Sequence, residues 1–248
     1  MQDDKSNNKV PGVAPLRNVA ALSEAIEATM GRPQHLPGIV CFHGLSGLGK
    51  TTAATYAHVE YCGAYVAVRS VVSRKSLLTS ILKELGVSSP KGSLDDYTIE
   101  VARILVGTRK PLIIDEADYL AKPSLVEVIQ DIHDAAVGST IVLIGEENLK
   151  TKLARWEKIH NRILRWEGAQ LANLADALLL RDLHCRRVRV ADDLVGMFGE
   201  KTGWVPRRIC VNLAAAEEEA LSKGRTEIGL KEYRREVFTG SPPMRRVA

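Results

Sequence analysis

The sequence lacks any long apolar run, so it offers no segment suited to crossing a bilayer. No stretch approaches the roughly 18 apolar residues that a membrane-spanning helix needs. The net charge is only +4, so there is no global basic field, and any affinity for nucleic acid has to come from a local basic surface. We find no internal repeat and no low-complexity tract. These absences argue against a membrane protein and against a repeat architecture.

Cysteine is too sparse and too scattered to indicate metal sites or disulfides. There is no C-x-x-C pair, and no signal-peptide pattern marks the chain for an oxidising compartment. We therefore expect reduced thiols in the core of a cytoplasmic protein. The four cysteines are Cys41, Cys62, Cys185 and Cys210.

What the sequence does contain is an ordinary globular composition, with 248 residues of which 45% are hydrophobic and 26% charged. A chain of this length can bury a sizeable core, as one α/β domain with a small appendage. We expect a polar, flexible arm over residues 1–15 and a nucleotide-binding α/β domain over residues 16–170. A small helical lid domain over residues 171–238 and a flexible basic tail over residues 239–248 complete the predicted organisation.

The most informative segment is residues 44–51, GLSGLGKT, a full match to the phosphate-binding pattern G-x-x-x-x-G-K-[ST]. An apolar strand precedes it and a helix follows, so its backbone N–H groups and the helix N-terminus face the phosphates. Lys50 is predicted to reach the β- and γ-phosphates, and the Thr51 hydroxyl to ligate Mg²⁺. ATP and Mg²⁺ are the expected cofactors. The predicted nucleotide contacts here are Gly44, Leu45, Ser46, Gly47, Leu48, Gly49, Lys50, Thr51 and Thr52.

Apolar strands alternate with amphipathic helices through the first two thirds of the chain, which predicts a parallel sheet covered on both faces. The predicted strands are residues 39–42, 65–68, 111–114, 140–144 and 162–166. Helices are predicted near residues 16–30, 76–85, 94–106 and 124–136, with another directly after the phosphate loop. Beyond about Leu171 only helical periodicity remains, which predicts a separate, all-helical domain.

The third predicted strand ends in Asp115-Glu116, the Walker B arrangement. Asp115 would hold Mg²⁺ through water, and Glu116 would polarise the water that attacks the γ-phosphate. A solvated acidic turn is the competing interpretation, but the phosphate loop upstream makes it the weaker one. The glutamate favours an ATPase over a small-molecule kinase, which needs no water activator.

With both Walker motifs the chain resembles the AAA+ ATPases, and this resemblance implies further site residues. In Gly203-Trp204-Val205-Pro206-Arg207-Arg208-Ile209, Arg207 occupies the place of the lid arginine that contacts the γ-phosphate, with Arg208 as the alternative. Arg162 occupies the place of the arginine finger, which acts on the neighbouring subunit's nucleotide. Arg155 and Arg165 compete for that role, and a plain surface arginine is an equal interpretation. The fourth strand leads into Gly145-Glu146-Glu147-Asn148, where no usual sensor 1 residue stands out.

Within that family the compact layout is similar to the DNA-transposition ATPases, the phage Mu B type and its transposon relatives. The FHGLSGLGKTTAA loop, the VLIG strand and the GWVPRRI segment carry this resemblance. It implies ATP-dependent, weakly sequence-specific binding of double-stranded DNA, assembly into a ring or helical filament, and delivery of target DNA to a transposase. The N-terminal arm is too short for a separate helix-turn-helix domain, so the DNA contacts are expected in the core or the lid.

The basic segment after the second strand is the best candidate for those DNA contacts. Arg69, Ser73, Arg74 and Lys75 are expected to neutralise phosphates without reading bases, and Lys122 is a second candidate. The Arg186-Arg187-Val188-Arg189 run is a third candidate, although basic clusters are usually solvated faces. Two other functions remain open: a regulatory ATPase of a secretion or cell-envelope system that binds a protein partner, and a small-molecule kinase.

Overall fold

The computed structural model describes residues 15–241 and divides them into two compact units. The first unit comprises residues 18–46 and 50–169, and the second comprises residues 15–17, 47–49 and 170–241. The predicted arm lies outside the described residues apart from residue 15, and so does the predicted tail from residue 242 onward. Within the described part of the chain, no helix combines the length and the apolarity needed to cross a membrane.

The first unit is built on five parallel strands. They are β1 Ile39–His43, β2 Ala64–Ala67, β3 Leu112–Asp115, β4 Ile141–Gly145 and β5 Ile163–Gly168. Their order across the sheet is β2-β3-β4-β1-β5, so β2 and β5 are the edge strands. Nearly every residue of β1, β3 and β4 is buried, because a parallel sheet covered on both faces needs apolar side chains on both faces. This confirms the predicted α/β fold.

Helices connect these strands. They are α1 Arg17–Met30, α2 Lys50–Glu60, α3 Arg74–Glu84, α4 Leu94–Thr108, α5 Pro123–Ala135, α6 Leu149–Ala154 and α7 Glu157–His160, with a 3₁₀ turn at Ala117–Leu120. Local sequence sets several of the helix starts. Ser93 caps α4 through a reciprocal capping box with Asp96, and Pro123 supplies the fixed φ at the first turn of α5. Every parallel crossover places the carboxyl ends of the strands at one edge, where an α/β sheet usually binds its ligand.

The start of α3 differs from the prediction. The spacing of the buried leucines indicated a start at Ser76, whereas the helix begins at Arg74. Ser73 is the N-cap: its amide donates to Ser76 Oγ at 2.8 Å, and its own hydroxyl oxygen accepts from the Ser76 amide at 3.2 Å. The N-cap lies outside the pattern of buried apolar residues. That pattern therefore placed the start of the helix too far along the chain. Arg74 and Lys75, expected in an irregular segment, lie instead in the first turn of α3.

The second unit contains three helices and a short parallel ladder. The helices are α8 Leu174–His184, α9 Asp192–Thr202 and α10 Pro206–Ser222, and the strands are β6 Arg189–Val190 and β7 Glu227–Ile228. The predicted small helical domain thus also contains a two-residue parallel ladder, whereas no strand was predicted beyond about residue 171. Strands of two residues are too short to produce a period-two pattern. Val190 and Ile228 are paired in this ladder, and both side chains are buried in the second unit.

Candidate functional site

The phosphate loop connects the carboxyl end of β1 to the first residue of α2, as its motif predicts. The Lys50 ammonium folds back over the loop and donates to the carbonyl oxygens of Gly44 at 2.7 Å and Leu45 at 2.8 Å. Burial lowers the pKa of Lys50, while nearby carboxylates, led by Glu146 and then Asp115, oppose that shift. The charge is thus partly desolvated beside acidic groups, a state suited to a further anionic ligand.

Two glycines give the loop its turn. Gly47 and Gly49 have φ of 85° and 84°, in the left-handed region that side chains rarely adopt. Gly47 stands at a variable position of the motif, so the pattern alone does not reveal this requirement. Within the second unit the Arg207 amide donates to the Gly47 carbonyl at 3.1 Å, and Val205 Cγ1 lies 3.1 Å from where a Gly47 Cβ would stand. A side chain at Gly47 would therefore meet both strain and crowding.

The Walker B aspartate lies at the end of β3 and is almost fully buried. Asp115 Oδ1 accepts from the Glu116 amide at 2.9 Å, and Oδ2 accepts from the Tyr65 hydroxyl at 3.0 Å. Tyr65 lies on β2, and no role was predicted for it. Tyr65 lies two residues before the end of β2. Its proximity to Asp115 can be recognised only when the register between β2 and β3 is known.

The donor set fits Mg²⁺. The predicted ligands, the Thr51 hydroxyl and the Asp115 carboxylate, are oxygen donors, which this cation prefers. Among the described residues there is no cluster of three or more His, Cys, Asp or Glu side chains that would form a closed metal cage. Mg²⁺ is commonly held by one or two protein oxygens, with water and phosphate completing its shell. The residues present thus suit a nucleotide-bound cation rather than a structural metal.

Glu116 has an unusual backbone conformation for a non-glycine residue, with φ 56° and ψ 37°. It begins the 3₁₀ turn, and its side chain is exposed. Although the side chain is largely exposed, partial desolvation raises the pKa of the Glu116 carboxyl, and Asp115 and Glu146 raise it further. Strained backbone and a raised carboxyl pKa often mark functional residues. Both observations support the predicted role in activating water.

The end of β4, where a sensor 1 residue was sought, is organised by Asp118. The Asp118 carboxylate accepts from the Glu146 amide at 2.6 Å and from Lys152 Nζ at 2.6 Å. Glu146 influences the pKa values of both Lys50 and Glu116, so it lies on the nucleotide side of this edge. Asn148 is instead the N-cap residue of α6. Sequence reasoning missed Asp118, although it follows the Walker B pair by only two positions.

The three candidates for the arginine finger have different surroundings. The Arg162 guanidinium contacts Asp134 in its own chain through Nε at 2.6 Å and Nη2 at 2.5 Å, and its Nη1 donates to the Lys158 carbonyl. Arg165 pairs loosely with Glu167 at 3.6 Å. Arg155 is exposed at the end of α6. Arg162 is therefore the candidate most firmly held within the chain.

The proposed lid arginines lie at the start of α10. Pro206 is the first helical residue, and the Arg208 guanidinium donates to the Thr202 carbonyl at 3.3 Å. Trp204, just before the helix, has φ 58°, and its amide donates to the Gly199 carbonyl at 2.8 Å. The Trp204 ring packs directly over Gly199, where there is no room for a Cβ. The start of α10, with Arg207 in it, is thus fixed by a specific turn.

The structure divides the predicted DNA contacts between two faces. Arg69 is exposed in the β2–α3 loop, residues 68–73, and Lys122 Nζ lies beside it, donating to the Ser70 carbonyl at 3.3 Å. Arg74 instead lines a groove of about 410 Å³ between α3, α4 and α5, which also contains Asp95, Asp131 and Asp134. The Ser73 hydroxyl caps α3, and Lys75 is exposed in its first turn.

A match to a family model covers the nucleotide-binding part of the chain. Residues 34–153 match the family described as AAA domain. Over 143 residues the chain is 31% identical to the Mu-like prophage FluMu DNA transposition protein B of Haemophilus influenzae, an alignment that covers 56% of this chain and 49% of that relative. The chain thus spans about half the length of this curated relative. The resemblance to AAA+ ATPases of the DNA-transposition type is confirmed.

Solved structures confirm the P-loop ATPase fold. The ORC2 protein of Aeropyrum pernix, in ADPNP and ADP complexes, aligns with a TM-score of 0.68 over 90% of this chain and 67% of that one. CDC6P from Pyrobaculum aerophilum aligns with a TM-score of 0.66 over 90% of this chain and 66% of that one. The Walker-type ATPase paby2304 of Pyrococcus abyssi aligns with a TM-score of 0.59 over 84% of this chain and 67% of that one. Each is 16% identical to this chain, so the likeness concerns the fold alone.

Proposed function

From the premise of an AAA domain in a chain that resembles a DNA transposition protein B, we propose a DNA-binding ATPase of transposition. In this proposal the protein binds ATP, assembles on double-stranded DNA as a ring or filament, and presents target DNA to a transposase. The observation that carries it is the grouping of Lys50, Asp115 and Glu116 at one edge of the sheet, close enough that the two carboxylates raise the pKa of Lys50 against the effect of burial and Asp115 raises the pKa of Glu116.

This grouping suits hydrolysis as well as binding. Lys50 is placed to exchange its carbonyl contacts for phosphate oxygens, and Glu116 to accept a proton from the attacking water. Thr51 and Asp115 would hold Mg²⁺, which supplies positive charge to the phosphates. A carboxylate in the Glu116 position has no task in a small-molecule kinase, so the geometry favours an ATPase.

The β2–α3 loop is the surface that best suits DNA. Arg69 and Lys122 supply two exposed cations at one place, and the Ser73 cap stiffens the loop where it enters α3. Val71, at the tip of this loop, has 87% of its surface exposed. Cations beside an exposed apolar tip suit a nucleic-acid groove, where the charges meet phosphates and the aliphatic group contacts sugar or base edges. This pairing provides affinity with little sequence readout.

In this proposal, turnover depends on a residue that acts across the subunit boundary. Arg155 is the candidate we propose first for this role, because its side chain is exposed while Arg162 is bound to Asp134. An arginine supplied by a neighbour would stabilise transition-state charge on the nucleotide and make turnover depend on assembly. Cytoplasmic location accompanies this function.

The proposal is tested by the retention of duplex DNA with a slowly hydrolysed ATP analogue and with ADP, measured between 50 and 200 mM salt. We expect stronger retention with the analogue than with ADP, with ATP-dependent rings or filaments on DNA in negative-stain images. The double variant Arg69→Ala/Lys122→Ala should flatten the slope of log affinity against log salt by about 2, near 0.9 for each lost phosphate contact.

The matched control is Lys91→Ala/Lys110→Ala, which removes two exposed cations elsewhere on the first unit and should leave the slope unchanged. If the wild-type protein retained no DNA at low salt with either nucleotide, the DNA-binding proposal would be wrong. Recovery of a protein partner by such a protein would then favour the regulatory ATPase of a secretion or envelope system.

A further inference from the structure

Three hydrogen bonds connect β2 and the β2–α3 loop to Asp115 and to the segment that follows it. The Tyr65 hydroxyl of β2 donates to Asp115 Oδ2 at 3.0 Å, and the Val68 amide at the start of the loop donates to the Asp115 carbonyl oxygen at 3.0 Å. Lys122 Nζ, just beyond the 3₁₀ turn, donates to the Ser70 carbonyl at 3.3 Å. The loop that we propose for DNA therefore contacts the main chain of the residue that we propose for Mg²⁺, and the strand that leads into the loop contacts its side chain.

Tyr65 is held on both sides. Its ring lies against His58 of α2, with ring centroids 6.0 Å apart and planes inclined at 54°. His58 in turn contacts the Gly63 carbonyl through Nδ1 at 2.6 Å, directly before β2. Because α2 begins at Lys50, this one tyrosine contacts the helix that follows the phosphate loop and the aspartate at the end of β3.

In this contact the Tyr65 hydroxyl is the donor and Asp115 Oδ2 is the acceptor. A metal-ligating carboxylate is oriented by its own hydrogen-bond partners, and loss of such a partner lowers the metal affinity. The Tyr65 contact therefore sets the orientation in which Asp115 meets the metal.

We propose that Tyr65 is a positioning residue that couples occupancy of the β2–α3 loop to the metal-binding state of Asp115. This inference rests on the proposed function. DNA phosphate competes with the Ser70 carbonyl for the Lys122 ammonium, the end of β2 shifts, and the Tyr65 hydroxyl moves relative to Asp115 Oδ2. Nucleotide with metal acts on the loop through the same contact in the opposite direction, because binding free energies couple reciprocally.

The test compares the dissociation constant for duplex DNA with a slowly hydrolysed ATP analogue and with ADP. The ratio of the two constants is the coupling factor, for which allosteric proteins commonly show about 5- to 150-fold. Tyr65→Phe removes the hydroxyl and keeps the ring, and we expect the factor to fall at least about 5-fold. DNA affinity without nucleotide should stay within about twofold of wild type, since the loop itself is intact.

The matched control is Tyr61→Phe. The Tyr61 hydroxyl is also partly buried and donates to a carboxylate, Glu27 Oε1, at 3.0 Å, and burial raises its pKa to about 12. Tyr61 is not among the residues that connect β2 and the β2–α3 loop to Asp115. The coupling factor of Tyr61→Phe should therefore match that of wild type. Lys122→Met removes the hydrogen bond to the Ser70 carbonyl. It should lower the coupling factor, as Tyr65→Phe does.

A second readout requires no DNA. The Mg²⁺ concentration at which half of the protein binds a fluorescent ATP analogue should increase about 10-fold or more in Tyr65→Phe relative to Tyr61→Phe, since loss of the hydrogen-bond partner that orients a metal-ligating carboxylate costs metal affinity. A wild-type coupling factor in Tyr65→Phe, or an unchanged Mg²⁺ midpoint, overturns the inference and leaves the proposed function standing. Absence of DNA binding by wild type overturns the proposed function, and the Mg²⁺ midpoint still decides the role of Tyr65.

Discussion

Replacement of Arg162 by alanine separates a structural role of this arginine from a catalytic one. Its guanidinium makes two hydrogen bonds to Asp134 and a third to the Lys158 carbonyl. Those contacts lower the pKa of Asp134 from 3.8 to about 2, with His133 as a further contributor. The structure therefore predicts that Arg162→Ala destabilises the first unit, whatever happens to turnover.

The magnitude follows from the pKa shift. Lowering the pKa of Asp134 from 3.8 to about 2 corresponds to about 2 kcal/mol between the two protonation states. The Asp134 side chain is 44% exposed, so solvent screening reduces this figure to about 1 kcal/mol. In a chain of this size that loss lowers the Tm by about 2–4 °C.

The pH dependence has a definite sign. The folded-state pKa of Asp134 is depressed, so its contribution is complete above the unfolded value of 3.8 and is lost as pH falls toward about 2. The difference in urea midpoint between wild type and Arg162→Ala should be constant from pH 7 to pH 5 and should narrow below pH 4. A double-mutant cycle with Asp134→Ala should return about 1 kcal/mol of interaction energy.

The control is Arg155→Ala, an exposed arginine whose loss should leave the Tm unchanged. Under the proposed function it should instead abolish DNA-stimulated turnover. An Arg162→Ala protein with the wild-type Tm and no DNA-stimulated turnover would refute the structural reasoning and restore Arg162 as the arginine finger.

Three further outcomes are expected. Glu116→Gln should bind ATP with near wild-type affinity but lose at least about 100-fold in turnover, the usual contribution of a general base, measured by phosphate release. Because the pKa of Glu116 is raised and its deprotonated form accepts the proton, wild-type turnover should decline on the acid side at a higher pH than an ordinary glutamate would give, and a pH–rate profile from pH 5 to 8 checks this. Gly199→Ala should destabilise the second unit by about 1–3 kcal/mol in thermal unfolding, since its Cβ would overlap the Trp204 ring, whereas Gly196→Ala, with open space around it, should not.

The nucleotide half of the site was predictable because phosphate chemistry constrains residue type and spacing together. Lys50 and Thr51 follow a loop of fixed length, and Asp115 and Glu116 follow an apolar strand, so each pair is recognisable without knowledge of the other. The contributions of Tyr65 and Asp118 were not predictable in the same way. Both act on this edge through neighbouring strands, and the partner of each becomes evident only when the order β2-β3-β4 and its register are known.

The basic segment at residues 69–75 shows a second reason why a surface could not be predicted from the sequence. Arg69, Arg74 and Lys75 are close in sequence, which suggested one cationic surface. The Ser73 cap starts a helix inside this segment, and a helix directs successive side chains about 100° apart. Arg74 therefore faces an acidic groove, while Lys122, distant in sequence, lies beside the loop of Arg69. A cluster of charges in the sequence becomes a surface only after the local backbone is known.

The position of β2 explains why the loop after it is suited to controlling the nucleotide site. An edge strand is paired on one side only, so β2 exchanges all of its ladder hydrogen bonds with β3. The register places Ala67, the last residue of β2, opposite Asp115, and the next residue, Val68, donates to the Asp115 carbonyl. Under the proposed coupling, a displacement at the base of the loop would reach Asp115 through these two contacts. A small movement would then suffice to lengthen the 3.0 Å hydrogen bond from Tyr65 to the Asp115 carboxylate.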